Sequence, residues 1–124
     1  MKKIFAFLLG MGAIFTQVFA APQAVSPEEA RTWLAEKKAV MIDVREDNEF
    51  KQQHIPNAIH IPLGQLPQRL AELAPYKETI IIAQCRSGHR SQQAIKILQS
   101  SGFSNLYNLE GGILAWHKAG LNIE

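Results

Sequence analysis

Thr79-Ile80-Ile81-Ile82-Ala83-Gln84-Cys85-Arg86-Ser87-Gly88-His89-Arg90-Ser91 is the stretch from which the fold can be read. Ile80 to Ala83 is an apolar run rich in β-branched residues, which predicts a short strand buried on both faces. From Gln92 to Ser100 the apolar positions Ala94, Ile95, Ile97 and Leu98 fall at helical spacing. A strand, a tight loop and a helix thus carry the chain's one cysteine at the strand's C-terminal end. In open α/β sheets, ligands bind at that end.

The loop predicts its own chemistry. The first N–H groups of a helix lack intrahelical partners, and the helix dipole adds positive potential there. A tight loop curling into that start can aim several N–H groups at one point and form an anion cradle. Gly88 tolerates positive φ, and Arg86 and Arg90 add charge. A thiol in that field has a lowered pKa and becomes a nucleophile. The competing reading, an inert core cysteine, sits poorly with a polar, doubly basic loop directly after it.

Working outward, Ala39 to Val44 predicts a second buried strand, with Asp43 and Arg45 at its end. This carboxylate and guanidinium either approach the pocket or tie the following loop, and the tie is the commoner use of such a pair. Asp47 to Gln53 predicts one or two helical turns. Ala58 to Ile61 predicts a short strand after the Pro56-Asn57 turn, and Leu63 to Leu73 an amphipathic helix through Leu66, Leu70 and Leu73. His54 and His60 flank that turn without a partner at metal spacing, so no metal site is expected. Ser26-Pro27-Glu28-Glu29 predicts a helix start with a capping box. Asn105 to Leu109 predicts a further strand, Gly111-Gly112 a turn, and Ile113 to Lys118 a last helix. Strands alternating with helices predict an α/β fold with a parallel sheet covered on both faces.

At the N-terminus, Lys2-Lys3, an apolar run from Ile4 to Phe15 and Val18-Phe19-Ala20 predict a cleavable export signal over residues 1–20. The remaining domain, 21–124, is then periplasmic, or secreted, and is not held in a membrane after cleavage. The chain has 13 basic and 11 acidic residues; Lys2 and Lys3 leave with the signal, so the mature domain is neutral. That balance gives no ground for a nucleic-acid or membrane surface. A lone cysteine forms no internal disulfide, and a free thiol is a liability in an oxidising compartment, which favours a chemical task for it.

Several motifs, in order, resemble the rhodanese superfamily in its small single-domain form. Ile42-Asp43-Val44-Arg45-Glu46 with Glu49-Phe50 is similar to its "DVRE…EF" strand. His54-Ile55-Pro56-Asn57-Ala58 with Ile61-Pro62 is similar to "GHIPGAxxIP", with Gln53 and Asn57 in place of glycines. Cys85 to Ser91 resembles the active-site loop "CxxGxRS", and Leu109-Glu110-Gly111-Gly112 with Ala115-Trp116 resembles "LxGGxxAW". The resemblance spans Ser26 to Gly120. It implies a three-layer α/β fold with a five-stranded parallel sheet and helices on both faces.

It also implies thiosulfate sulfurtransferase chemistry with no cofactor. The Cys85 thiolate takes the outer sulfur of thiosulfate or a similar small anionic donor, holds it as a persulfide, and passes it to cyanide or a thiol. Arg86, Ser87, Gly88, His89, Arg90 and Ser91 would form the substrate loop, with Asp43 and Arg45 in support. Arg90 is either a donor contact or a clasp on the loop, and His89 a donor contact or a rim residue. Two other classes stay open: a persulfide carrier or binding module serving a protein partner, and an oxyanion reductase or phosphatase. Tyrosine phosphatases place arginine six residues after the cysteine; here that residue is Ser91, and Arg90 falls one short.

Overall fold

A computed structural model describes residues 23–124; the predicted export signal lies outside the described residues. The chain runs β1 (Gln23–Val25), α1 (Pro27–Ala35), β2 (Ala39–Asp43), α2 (Asp47–Gln52) and β3 (Ile59–His60). Two 3₁₀ segments follow, Leu63–Gln68 and Leu70–Tyr76, then β4 (Ile80–Gln84), α3 (His89–Ser100), β5 (Leu106–Leu109) and α4 (Gly112–Lys118). The five strands form one parallel sheet in the order β1-β5-β4-β2-β3.

The apolar run of β4 is buried on both faces because its side chains alternate between two cores. Ile81, Ala83 and Cys85 point to one face, with Ala94, Ile95 and Leu98 of α3 and with Leu66 and Leu73. Ile82 points to the other, with Ala30 of α1 and Ile113 and Trp116 of α4. This alternation places Cys85 on the α3 side, directly under that helix's first turn. From β4 the chain crosses by α3 to β5 on one side; from β2 it proceeds to β3 on the other. The strand order therefore reverses between β4 and β2, and Cys85 lies at that switch point, where a crevice opens in such sheets.

Several expectations are revised. Leu63 to Leu73 is not one α-helix: Pro67 and Pro75 lie inside the two short 3₁₀ segments, and a proline lacks the N–H and crowds the preceding turn. Leu66 and Leu73 are nonetheless fully buried. On α1, Ser26 Oγ accepts from Glu29 N–H at 3.1 Å, the forward half of the expected box. A glutamate returning to its cap is seen on α2, where Glu46 N–H donates to Glu49 Oε1 at 2.9 Å. The helix after the cysteine starts at His89 and not at Gln92, so His89, Arg90 and Ser91 form its first turn. Strand β1, absent from the residue reading, pairs in parallel with β5 from Gln23 opposite Tyr107 to Val25 opposite Leu109.

Candidate active site

Cys85 follows the last residue of β4 and is 1% exposed. Its Sγ accepts from the N–H groups of Gly88 at 3.1 Å and Ser91 at 3.4 Å. The Ser91 hydroxyl stands 3.4 Å from the same sulfur. Burial pushes the Cys85 thiol up, but the Ser91 hydroxyl and the N–H groups of Ser91, Gly88 and Ser87 outweigh it, and the net pKa lies below the ordinary thiol value. The cradle is built from backbone N–H groups and one hydroxyl, with less from the two arginines than the sequence suggests.

The loop can take this shape because of two glycines. Gly88 caps α3 at φ 120°, a conformation that side chains rarely adopt. Gly112 opens α4 at φ 61°, and a Cβ there would meet the carbonyl of Arg86 and lie 2.6 Å from Cys85 O. This close approach lets the first N–H groups of α4 clamp the loop from behind. Ile113 N–H donates to Cys85 O at 2.9 Å, and Leu114 N–H to Arg86 O at 3.2 Å. Gln84 Nε2 adds a second bond to Cys85 O at 3.0 Å, while its buried Oε1 has no partner among the described residues. With these carbonyls held toward α4, the loop N–H groups are left to face the sulfur.

The other predicted residues separate by what engages them. Arg86 and His89 are exposed, and no hydrogen bond or ion pair engages the Arg86 guanidinium among the described residues. Ser87 is also exposed at the rim. Arg90 is gripped by Glu49 of α2, Nη1 to Oε1 at 2.7 Å and Nη2 to Oε2 at 3.0 Å. Asp43 and Arg45 form a buried tie: Nη2 to Oδ2 is 2.7 Å and Nε to Oδ1 3.0 Å, and Arg45 also donates to Gln53 O at 2.9 Å. His54 and His60 stack on either side of Phe50, with ring centroids 3.9 and 4.3 Å away.

A cleft of about 300 Å³ opens beside the loop, lined by Arg45, Glu49, Gln52, Gln53, Arg86, Ile113 and Leu114. A cavity of about 320 Å³ lies elsewhere, between α1 and Pro56-Asn57, and contains no loop residue. The first shares a wall with the thiol's loop through Arg86.

The rhodanese-like domain family matches residues 26–119. The chain belongs to that family. A putative sulfurtransferase, YtwF, of Bacillus subtilis is 43% identical over 82 residues, 66% of this chain and 77% of that protein. The thiosulfate sulfurtransferase GlpE of Vibrio cholerae is 33% identical over 95 residues, 77% of this chain and 88% of that one. The crystal structure of a thiosulfate sulfurtransferase from Pseudomonas aeruginosa matches with a TM-score of 0.75 at 30% identity, covering 83% of this chain and 20% of that chain. Relatives with these names support a sulfur-transfer role, as a transferase, for this rhodanese-like domain.

Its two departures from the family's glycines have a physical basis. Asn57 sits at φ 66°, in the left-handed region that asparagine tolerates best among residues with a side chain. Gln53 is extended at φ −169°, where no glycine is needed. Two site residues escaped the sequence reading as partners of the loop. Glu49 was visible only as part of a motif. Asn108 interrupts the apolar β5 pattern and is buried under the loop, its Nδ2 donating to Gly88 O at 3.1 Å. A lone amide in a buried strand was the available signal.

Proposed function

We propose that this chain moves a sulfane sulfur from thiosulfate, or a similar small anionic donor, to cyanide or a thiol through a persulfide on Cys85. The Cys85 thiolate attacks the donor's outer sulfur. The donor's S–S bond breaks, and sulfite leaves with the bonding pair. The resulting persulfide carries its charge on the outer sulfur, one S–S bond beyond the Sγ that the Gly88 and Ser91 N–H groups hold. An incoming cyanide or thiolate then attacks the outer sulfur and returns Cys85 to the thiolate. The observation that carries this reading is the convergence of those N–H groups on a buried Sγ at a helix start, which stabilises the attacking anion.

Arg86, exposed and unengaged among the described residues, is available to hold the donor's sulfonate end. Arg90 is assigned to the clasp on Glu49, and Asp43 with Arg45 to the tie beneath the cleft. His89 and Ser87 are assigned to the rim. The burial of Cys85 favours a slender donor over a bulky phosphoester. Mass spectrometry after thiosulfate treatment tests the reading: the protein should gain one sulfur atom, lose it to cyanide, and gain none as Cys85→Ser. A protein that stays unmodified overturns it.

The same proposal places the domain, residues 21–124, in the periplasm or outside the cell after cleavage behind Ala20. N-terminal sequencing of the exported protein should return Ala21; Met1 would refute the assignment.

A further inference from the structure

We propose that Asn108 is a positioning residue for the Cys85 thiolate and acts through the single proton of the Ser91 hydroxyl. The proposal rests on Cys85 being the nucleophile of the reaction above. Asn108 lies on β5, 7% exposed, and Ser91 on the first turn of α3 is fully buried. Asn108 Nδ2 donates to Gly88 O at 3.1 Å, and its Oδ1 stands 2.6 Å from Ser91 Oγ. Reversing the amide would set Oδ1 against the Gly88 carbonyl, so the orientation is fixed by its partners.

Ser91 Oγ has three acceptors around it and one proton to give: Asn108 Oδ1 at 2.6 Å, Gly88 O at 3.1 Å and Cys85 Sγ at 3.4 Å. While Cys85 is a thiol, a continuous chain satisfies every member. The S–H donates to Ser91 Oγ, the hydroxyl donates to Asn108 Oδ1, and Nδ2 donates to Gly88 O. When the thiol proton leaves for solvent, Sγ becomes an acceptor and the chain fails. Either the hydroxyl swings to Sγ and strands a buried Oδ1, or it stays with Asn108 and turns a lone pair toward the anion. The first gives the anion its donor and leaves a buried Oδ1 unpartnered, so Ser91 favours ionisation and Asn108 opposes it; the second leaves the anion without that donor.

Asn108 therefore holds the hydroxyl within reach of the sulfur and opposes its transfer there, while the N–H groups of Gly88 and Ser91 grip the sulfur in either state. The consequence is a thiolate kept from becoming too weak a nucleophile, since nucleophilicity falls with thiol pKa. Other titratable and charged groups near the loop belong to separate elements, and of these Arg90 is coupled to Cys85. Arg86, His89 and Arg90 belong to the loop and α3, Glu46 and Glu49 reach it through Arg90 from α2, and Asp43 with Arg45 closes the end of β2. Asn108 is the uncharged contribution of β5.

The test titrates Cys85 by its ultraviolet thiolate absorbance in the wild type, Asn108→Leu, Ser91→Ala and the double variant. Asn108→Leu should lower the inflection by about half a unit to one unit, the scale of one neutral hydrogen bond. Ser91→Ala should raise it, and Asn108→Leu should then add no further shift. Asn108→Asp keeps the shape if the leucine variant does not fold; its carboxylate grips the hydroxyl proton and should raise the inflection more with Ser91 present than in Ser91→Ala. Additive shifts in these cycles would overturn the proposal. The readout is ionisation and not sulfur transfer, so a failure to form persulfide would defeat the functional reading while leaving this result standing.

Discussion

A thiol with 1% exposure ought to resist ionisation, yet the Cys85 pKa falls below the ordinary value because three backbone N–H groups and one hydroxyl surround the sulfur. The N–H donors are fixed by the helix start and need no reorganisation when charge appears, whereas the hydroxyl must turn from Asn108. The thiolate inflection should therefore lie below the roughly 8.5 of a free cysteine. An inflection at or above that value in the ultraviolet titration would remove the anion cradle. Arg86 makes the complementary case. With its guanidinium unengaged among the described residues, Arg86→Ala should leave the Cys85 inflection close to wild type and lower kcat/KM for thiosulfate roughly ten- to hundred-fold, the scale of a hydrogen bond to a charged group. Arg86→Lys should recover part, because the fork geometry is lost. Unchanged thiosulfate kinetics in Arg86→Ala would assign the sulfonate contact elsewhere.

Among the elements, those with strong local pattern were legible and those made by distant partners were not. Strand β4 announces itself by Ile80-Ile81-Ile82, and α3 by Ala94, Ile95 and Leu98. Strand β1 is three residues with only Val25 buried, so its existence depends on pairing with β5, far along the chain. Leu66 and Leu73 have helical spacing and are buried as expected, but the prolines beside them decide the backbone. Gly111-Gly112 reads as a turn in the sequence; its closeness to the Cys85 loop is a tertiary fact. That closeness makes a sharp expectation. Gly112→Ala sets a methyl against the Cys85 and Arg86 carbonyls at φ 61°. It should cost about 1–3 kcal/mol in backbone strain alone, lower Tm and sharply reduce persulfide yield. Gly64→Ala, which meets nothing within 4 Å, is the control. A wild-type persulfide yield in Gly112→Ala would show that α4 does not hold the loop.

Across the whole molecule, the cleft has one wall with little apolar burial beyond the half-buried Phe50, which stacks between His54 and His60. Helix α2 has no buried residue, so hydrophobic burial does little to hold it. Instead Arg45 reaches the carbonyl of Gln53, and Arg90 joins Glu49 to α3 across 41 residues of sequence. The Arg90 side chain, together with the Glu46 N–H and Arg45, holds the Glu49 carboxyl at about 2 against the opposing effect of partial burial. A carboxyl depressed in the folded state stabilises fully above its unfolded value and loses that contribution as pH falls through the folded one. The window for Glu49 thus runs from about 4.5 down to about 2. Glu49→Gln should be less stable than wild type at neutral pH, lose less stability across that window, and converge with wild type near its lower end. Added salt should narrow the neutral-pH difference, because the pair is only partly shielded from solvent. Urea unfolding of both proteins across that pH range makes the comparison. Parallel stability curves would mean that Arg90 does not hold α2, and that the wall of the cleft is kept in place by the Arg45 tie and the Phe50 stack alone.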